Sequence, residues 1–352
     1  MAVRKPTAID LFAGCGGVTE GLRQAGFRVI AAVEIDSAAA KTYQLNHPKV
    51  ELSESDIREI RGRKWMQDLG IERGELDLLV GCPPCQGFST LRTRNGAYWN
   101  RDERNYLVDE MLRLVKEMRP RTVIMENVPR LCEKRLFRDF VNSLELLGYS
   151  VNWGVVNVQN FAVPQRRRRL VLVAGLGFEI PFPREARVKK TVKSAIKHLK
   201  RAGRSGDLVH DIPENHTERI RDLIANVPKN GGSRMQLPRR FHLKCHKKFN
   251  GFKDVYGRMA WDDVAPTITG GCFNPSKGRF LHPSCNRTIT MREAALLQTF
   301  PKRYKFDVTD GKQQIALMIG NALPPELVRR QALQVHRALM NQWAKNSLCR
   351  AK

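Results

Sequence analysis

Short apolar segments separated by amphipathic or polar stretches dominate the first half of the chain. Six of them have the length and composition of buried strands: Thr7–Phe12, Phe27–Val33, Leu76–Val80, Thr122–Met125, Val151–Val158 and Arg169–Ala174. Helical patterns lie between several of these segments, for example from about Tyr106 to Met118. Strands that alternate with helices predict an α/β fold with a doubly wound, mostly parallel sheet.

The pattern weakens after Pro183. Residues 184–283 are basic, rich in glycine and proline, and poor in periodicity, which predicts a second, smaller domain or a long excursion from the first. Near the end, Pro325 suits the first turn of a final helix that runs to about Ala344. We therefore expect a large α/β domain that the final helix completes.

The charge balance indicates a polyanionic partner. The 352 residues include 61 Lys and Arg against 35 Asp and Glu, a formal net charge of +26. Nucleic acid is the partner that such an excess favours. A membrane is disfavoured because no apolar run approaches the roughly 18 residues of a span, and the first residues leave no room for a signal peptide. Eight scattered cysteines fit a reducing, intracellular compartment.

Cys85 is a candidate nucleophile. It lies in Gly81-Cys82-Pro83-Pro84-Cys85-Gln86, directly after the apolar strand Leu76–Val80. Open α/β sheets place their ligands at the carboxyl ends of strands, and the two prolines stiffen the segment that carries the thiol. An inert buried cysteine is the alternative for this residue taken by itself.

A glycine-rich turn and three later residues are candidates for a nucleoside site. Gly14-Cys15-Gly16-Gly17 follows the first strand, and Glu34 ends the second, where a carboxylate can bind ribose hydroxyls. Thr19 stands where a dinucleotide fingerprint has its third glycine, so S-adenosylmethionine fits better than NAD. Asp56 and Ile57 follow the position of a third strand and are candidates for the adenine. A plain tight turn and a solvated loop acid are the alternatives.

Glu126 and an arginine run complete the candidate chemistry. Glu126 ends the strand Thr122–Met125, where partial desolvation would raise its pKa and make it a proton donor near neutral pH. Gln165 precedes four consecutive arginines. Alternation along an extended chain predicts that Arg167 and Arg169 share one side and Arg166 and Arg168 the other, so that one pair enters the site while the other contacts phosphate.

These segments together resemble the DNA (cytosine-5) methyltransferase family, over nearly the whole chain outside residues 184–250. Six motifs occur in the family's linear order. Asp10–Gly17 resembles the first cofactor motif, Pro84-Cys85-Gln86 the nucleophile motif, and Glu126-Asn127-Val128 the proton-donor motif. Gln165–Arg169 resembles the arginine motif, Arg292-Glu293 with Leu297–Pro301 the hinge motif, and Gly320-Asn321-Ala322 the last cofactor motif. The resemblance implies a Rossmann-like methyltransferase fold, S-adenosylmethionine as methyl donor, and double-stranded DNA as substrate.

The resemblance also implies roles for the reacting residues. Cys85 would attack carbon 6 of a cytosine flipped out of the duplex, and Glu126 would protonate or hydrogen-bond nitrogen 3. Arg169 would contact the carbonyl of the base and steady Cys85, whereas Arg167 would hold phosphate. Gln165 is placed among the catalytic residues by its position in the arginine motif.

For the cofactor, the resemblance implies that the methionine and ribose are surrounded by Phe12, Gly14, Gly16 and Gly17. It implies that Glu34 binds the ribose hydroxyls and that Asp56 and Ile57 contact the adenine. Asn321 would make a closing contact, and Pro83 and Leu107 would be apolar neighbours. Ile35 is included as well, at a place where the family often has an aromatic residue against the adenine.

The resulting domain prediction is a catalytic domain at 1–183 completed by 308–352, a target-recognition domain at 184–285 and a hinge at 286–307. We expect DNA contacts from the loop after Cys85, from the arginine motif and from two segments that face the major groove. The residues are Ser89, Arg92 and Arg94; Arg167; and Tyr256, Arg258, Lys277 and Arg279.

Several alternatives stay open at this stage. Cys82-Pro83-Pro84-Cys85 matches the Cys-x-x-Cys pattern of thiol oxidoreductases, and a zinc site would draw on His242, Cys245 and His246 with Cys272, His282 and Cys285, although we expect no metal. RNA is the rival substrate, and a silent DNA-binding member is the rival function. We expect a cytoplasmic, nucleoid-associated monomer, with a restriction endonuclease as a companion rather than a physical partner.

Overall fold

A computed structural model describes residues 4–84, 106–241 and 253–350 of the protein. Within them, seven strands form one sheet in the order β3-β2-β1-β4-β5-β7-β6. The strands are β1 (Thr7–Leu11), β2 (Arg28–Val33), β3 (Glu51–Ser53), β4 (Leu78–Gly81), β5 (Thr122–Asn127), β6 (Tyr149–Asn157) and β7 (Arg168–Leu176). Strands β1 to β5 pair in parallel, and β7 is antiparallel to both of its neighbours. The predicted doubly wound, mostly parallel sheet is confirmed.

Ten α-helices occur in the described residues. They are α1 (Gly17–Gln24), α2 (Ser37–Asn46), α3 (Gly62–Asp68), α4 (Leu107–Met118), α5 (Arg135–Leu146), α6 (Val192–Ile196), α7 (Glu218–Asn226), α8 (Met291–Leu297), α9 (Gly311–Asn321) and α10 (Pro325–Arg350). The predicted helix near 106–118 is α4, and the final helix begins at Pro325 as predicted but continues past Ala344.

Apolar spacing explains how the helices pack on the sheet. In α4 the buried residues recur at helical spacing, at Val108, Met111, Leu112, Val115 and Met118. They pack with the strand residues of β1, β4 and β5 in one hydrophobic core. Parallel strands buried on both faces are continuous apolar runs, which is why β1, β2, β4 and β5 were visible in the sequence.

Helix α10 packs closely against α1, and a glycine allows the approach. A Cβ atom at Gly21 would lie 2.5 Å from Val328 Cβ and 2.6 Å from the Pro325 carbonyl oxygen. Both distances are shorter than Cβ atoms tolerate, so only glycine fits at this crossing. The final helix thus completes the layer that covers one face of the sheet.

The chain divides into two compact units. The first comprises residues 1–157, 168–185 and 325–352, and the second comprises 158–167 and 186–324. One boundary between the units follows Glu185. The second unit also contains residues 158–167, between β6 and β7, the segment expected to form a hinge, and residues 308–324 of the segment expected to complete the catalytic domain. The target-recognition and hinge roles stay predictions.

The second unit has its own small core, formed by side chains from α7 and later loops: Leu223, Ile224, Val227, Leu237, Tyr256 and Leu281. Helix α8 begins with a capping box, in which Thr290 and Glu293 bond each other's backbone amides at 3.2 and 2.8 Å. Gly320 in α9 packs against another segment of this unit, since a Cβ atom there would lie 2.2 Å from the Gly270 nitrogen.

Candidate active site

The carboxyl ends of the parallel strands lie at one edge of the sheet, and the predicted chemical groups follow them. The segments are Phe12–Gly17 after β1, Glu34 after β2, Cys82-Pro83-Pro84 after β4, and Glu126-Asn127 at the end of β5. Ligands of open α/β sheets bind at this edge. The nucleophile candidate itself, together with the predicted DNA contacts Ser89, Arg92 and Arg94, lies outside the described residues: Cys85 is the first residue after Pro84.

Glu126 and Arg169 form a buried ion pair in the first unit. Glu126 is 7% exposed and is the second-last residue of β5, while Arg169 is the second residue of β7. Because the two strands are antiparallel, with Asn127 opposite Leu170, the start of β7 lies beside the end of β5. Arg169 Nε is 2.7 Å from Glu126 Oε1. The two groups form an ion pair, although among the described residues no N–H is aligned to donate a hydrogen bond to that oxygen.

Cys82, the first residue after β4, lies beside Glu126. Burial is the main reason that the pKa of the Cys82 thiol lies well above its usual range, and the charges of Glu126 and Asp10 add to the rise. Thiol oxidoreductases lower the pKa of a Cys-x-x-Cys thiol. The raised pKa makes the Cys82 thiol a poor nucleophile.

Asn127 connects the ends of β5 and β4. Its Nδ2 donates to the carbonyl of the buried Pro83 at 3.0 Å, and its Oδ1 accepts from the Val128 amide at 2.8 Å. These two bonds hold the residues after Glu126 against the segment that leads to Cys85. Sequence reasoning placed Asn127 in a motif but assigned it no role, because a side-chain bond to a distant carbonyl has no sequence signal.

The turn after β1 has an unusual backbone. Phe12, Gly14 and Gly16 have φ values of 60°, 56° and 91°, in the left-handed region. Glycine adopts this region freely, whereas it strains Phe12. A Cβ atom at Gly14 would meet no atom within 4 Å. Open space beside a glycine at the ligand edge is the geometry that lets a ligand approach the backbone.

Glu34 is held against this turn. Its Oε2 accepts a hydrogen bond from the Gly14 amide at 2.7 Å, and its Oε1 accepts one from the Asp36 amide at 2.8 Å. Burial raises the pKa of Glu34, while these two bonds oppose the rise. The adjacent Ile35 is 65% exposed, an unusual state for a large apolar side chain. The two residues present one carboxylate and one apolar surface at the end of β2.

Asp56 and Ile57 have different environments. Ile57 is buried, whereas both carboxylate oxygens of Asp56 accept hydrogen bonds from the Arg58 side chain, at 2.6 to 3.1 Å. The Arg58 guanidinium lowers the pKa of Asp56. Phe12 and Leu107 are half-buried and border the same core. The adenine role of Asp56 stays a prediction, and in this state its carboxylate already has a partner.

Asp10 was not singled out by sequence reasoning. It is fully buried inside β1, and its Oδ2 accepts a hydrogen bond from Thr19 Oγ1 at 2.7 Å, which itself contacts the Tyr43 hydroxyl at 2.8 Å. Burial raises the pKa of Asp10 to about 7. The signal was present in the sequence, because Asp10 interrupts an otherwise apolar strand.

The arginine run alternates in burial as predicted. Arg166 and Arg168 are exposed, Arg167 is 4% exposed and Arg169 is half-buried. The phosphate role predicted for Arg167 is not supported, because its buried guanidinium donates to the carbonyls of Ile268 and Gly320 at 3.0 and 2.9 Å. Arg167 belongs to the second unit and Arg169 to the first, so the boundary between the units passes through the motif.

Gln165 is also a buried residue of the second unit. Its Nε2 donates to Gln298 Oε1 at 2.7 Å, and its Oε1 accepts from the Ile268 amide at 2.8 Å. Gln298 in turn donates to the Ile319 carbonyl at 2.6 Å. These bonds give Gln165 a structural role, and its catalytic assignment stays a prediction. Asn321, the last residue of α9, is exposed, and its cofactor role stays a prediction too.

Three of the residues predicted to face the major groove are buried or have partners within the second unit. Arg258 is fully buried and donates to the carbonyls of Ile224, Val227, His282 and Cys285 and to Asn286 Oδ1. Tyr256 is 5% exposed, and Arg279 is bound to Asp254 and to three carbonyls. Lys277 is exposed. The DNA-binding roles of these residues stay predictions, and charge in a Gly-rich loop does not reveal which arginines satisfy buried carbonyls.

Within the described residues, no group of three His, Cys, Asp or Glu side chains is arranged to hold a metal ion. Three of the candidate zinc ligands, His242, Cys245 and His246, lie outside those residues. No helix in the described part of the chain is both long and apolar enough to cross a membrane.

Comparison with known proteins identifies the family. A family model described as C-5 cytosine-specific DNA methylase matches residues 7–337. The type II methylase M.HgiDII of Herpetosiphon aurantiacus is 38% identical over 348 residues, which cover 94% of this chain and 95% of that protein. The type II methyltransferase M1.HphI of Haemophilus parahaemolyticus is 32% identical, over 96% of this chain and 88% of that protein.

Solved structures show the same fold. The Dnmt2 methyltransferase of S. pombe superposes with a TM-score of 0.61 at 18% identity, over 96% of this chain and 99% of that one. A protein of an E. coli prophage assigned as a DNA modification methyltransferase reaches a TM-score of 0.74 at 23% identity, over 96% of this chain and all of that one. With the family match over nearly the whole sequence, the chain belongs to the C-5 cytosine-specific DNA methylases and is a DNA (cytosine-5) methyltransferase.

Proposed function

We propose that this enzyme transfers a methyl group from S-adenosylmethionine to carbon 5 of a cytosine within a specific sequence of double-stranded DNA. The observation that carries the proposal is the buried Glu126–Arg169 pair, at the sheet edge where the segment leading to Cys85 leaves β4. One carboxyl group and one guanidinium beside a thiol are the groups that activation of a cytosine ring requires. The relatives named as type II enzymes support a sequence-specific substrate.

The residues divide the reaction among them. The thiolate of Cys85 forms a bond to carbon 6 of the flipped cytosine, and the ring electrons move to carbon 5. Glu126 stabilises the developing negative charge by donating a hydrogen bond from its protonated carboxyl group to nitrogen 3. Arg169 holds that carboxyl group and contacts the carbonyl of the base. After methyl transfer, a proton leaves carbon 5 and the bond between Cys85 and carbon 6 breaks, which restores the ring and the thiolate.

The turn after β1 fits S-adenosylmethionine, which when bound supplies an electrophilic methyl group. The open space at Gly14 admits the ligand close to the backbone. Glu34 is oriented by the Gly14 and Asp36 amides to accept from ribose hydroxyls. The exposed Ile35 and the buried Ile57 offer apolar contacts to the adenine, and Pro83 and Leu107 border the same region.

The second unit is proposed to select the DNA sequence. It carries exposed basic side chains such as Lys277, whereas Arg258, Tyr256 and Arg279 maintain its fold. Phosphate contacts by exposed Lys and Arg give affinity, and base contacts give specificity. A companion restriction endonuclease is part of this proposal, since the named relatives are type II enzymes. A monomeric state and a location at the nucleoid are proposed as well.

The test is methyl transfer from labelled S-adenosylmethionine to unmethylated genomic DNA, with base-resolved mapping of the product and total tRNA as a parallel substrate. We expect methylated cytosines in one short DNA context. Cys85→Ser should abolish transfer, and Glu126→Gln should lower kcat by roughly 100-fold or more while DNA affinity is retained. Label on tRNA alone would move the substrate to RNA, and label on neither substrate would contradict the proposal.

A further inference from the structure

Cys82 is placed to act on Glu126 by the pairing of two strands. Gly81 of β4 pairs with Met125 of β5 in parallel register, so Cys82, the first residue after β4, follows beside Glu126 of β5. A Cβ atom at Gly81 would lie 2.8 Å from Met111 Sδ, which shows that the end of β4 is packed tightly against α4.

The contacts around Glu126 come from two directions. Arg169 Nε approaches Oε1 at 2.7 Å, and the strand register makes Cys82 the neighbour of the same residue across β4 and β5. Burial and the neighbouring acids Glu126 and Asp10 keep the pKa of Cys82 high, so the thiol retains its proton and remains a donor. Arg169 is the cation of this group, and Cys82 is a neutral donor next to two carboxyl groups.

We propose that Cys82 is a positioning residue, whose S–H group fixes the orientation of the Glu126 carboxyl group toward the nitrogen 3 position of the flipped cytosine. The ion pair with Arg169 alone fixes one oxygen and leaves rotation about the side chain free. A second donor removes that freedom, and catalysis depends strongly on such orientation. This inference rests on the proposed role of Glu126.

The experiment compares Cys82→Ala, Cys82→Val and Cys82→Ser in the full-length enzyme. Alanine removes the donor, valine removes it while filling the space, and serine retains a donor. We expect kcat for methyl transfer to fall about tenfold in the alanine and valine variants, as one lost hydrogen bond predicts, with KM for DNA and S-adenosylmethionine changed less than twofold. Cys82→Ser should keep most of the activity.

A double-mutant cycle separates positioning from general damage. If Cys82 acts through the Glu126 carboxyl group, Cys82→Ala should cause little further loss of kcat in the Glu126→Gln background. Melting temperatures identify any variant that fails to fold, and the serine variant then carries the comparison. Equal kcat in the wild type and both donorless variants, or the same tenfold loss in the Glu126→Gln background, would overturn the inference. A wild-type enzyme without any transfer would instead contradict the proposed function.

Discussion

At the scale of single residues, burial distinguishes basic residues that the sequence presents as equivalent. Arg258 and Lys277 both lie in Gly-rich basic segments, yet Arg258 is fully buried with five hydrogen-bond acceptors around it and Lys277 is exposed. A buried guanidinium is retained only where its hydrogen bonds are satisfied. Arg258 therefore stabilises the second unit, and Lys277 is free to meet a polyanion.

Arg258→Ala should lower the free energy of unfolding by about 3 kcal/mol or more, because four carbonyls and one amide oxygen would lose their donor inside the protein. Lys277→Ala is the matched control and should leave that free energy unchanged within about 0.5 kcal/mol while weakening DNA binding. Urea unfolding and DNA titration measure the two effects. A stable Arg258→Ala protein with weakened DNA binding would reverse the assignment.

Asp10 predicts a specific dependence of stability on pH. Its pKa is raised from 3.8 to about 7 by burial, so between these values the folded protein holds a proton that the unfolded chain has released. Its contribution is fully present below pH 3.8 and is lost as the pH rises toward 7. Asp10→Asn, which can still accept from Thr19, should therefore stabilise the protein relative to wild type more at pH 8 than at pH 5. Urea unfolding at both pH values measures the difference, and an equal difference would show that Asp10 does not titrate in this range.

At the scale of elements, strand direction decides the site. The sequence predicts Arg169 on a strand but not the direction of that strand, and only an antiparallel β7 brings its first residues beside the end of β5. The segment between β6 and β7 is residues 158–167, which belong to the second unit. A connection of this kind cannot be read from periodicity, because periodicity reports the burial of a strand and not its partner.

The crossing of α1 and α10 predicts the effect of one methyl group. Gly21→Ala should destabilise the protein by about 1 to 3 kcal/mol, because the new Cβ would lie 2.5 Å from Val328 Cβ and 2.6 Å from a carbonyl oxygen. Gln24→Ala, at an exposed position of the same helix, is the control and should change stability little. Thermal unfolding of the two variants compares them, and equal melting temperatures would show that the helices separate without cost.

At the scale of the whole molecule, a formal charge of +26 dominates the encounter with DNA. Binding that neutralises phosphates releases counterions, so the logarithm of the association constant should fall linearly with the logarithm of the salt concentration. We expect a loss of roughly 10³-fold between 50 and 200 mM salt if about six phosphates are contacted. Titrations on a specific and an unrelated duplex measure the slope. An association constant that does not change with salt would contradict an electrostatic interface.

The amino-acid sequence by itself determined the order and type of the elements and the motifs that name the family. Buried strands are continuous apolar runs, and reacting residues follow them at fixed places, so both are local signals. Thr7–Leu11, Leu78–Gly81 and Leu107–Met118 each lie within two residues of the predicted bounds.

Only the tertiary structure decided which side chains meet. It paired Glu126 with Arg169, placed Cys82 beside that pair, and buried Arg167 and Arg258 among carbonyls. The partners are separated by more than 20 residues in every case, and their contact depends on strand direction, on register and on the need of buried carbonyls for donors. Local patterns of hydrophobic and polar residues do not reveal strand direction, strand register or which buried carbonyls need donors.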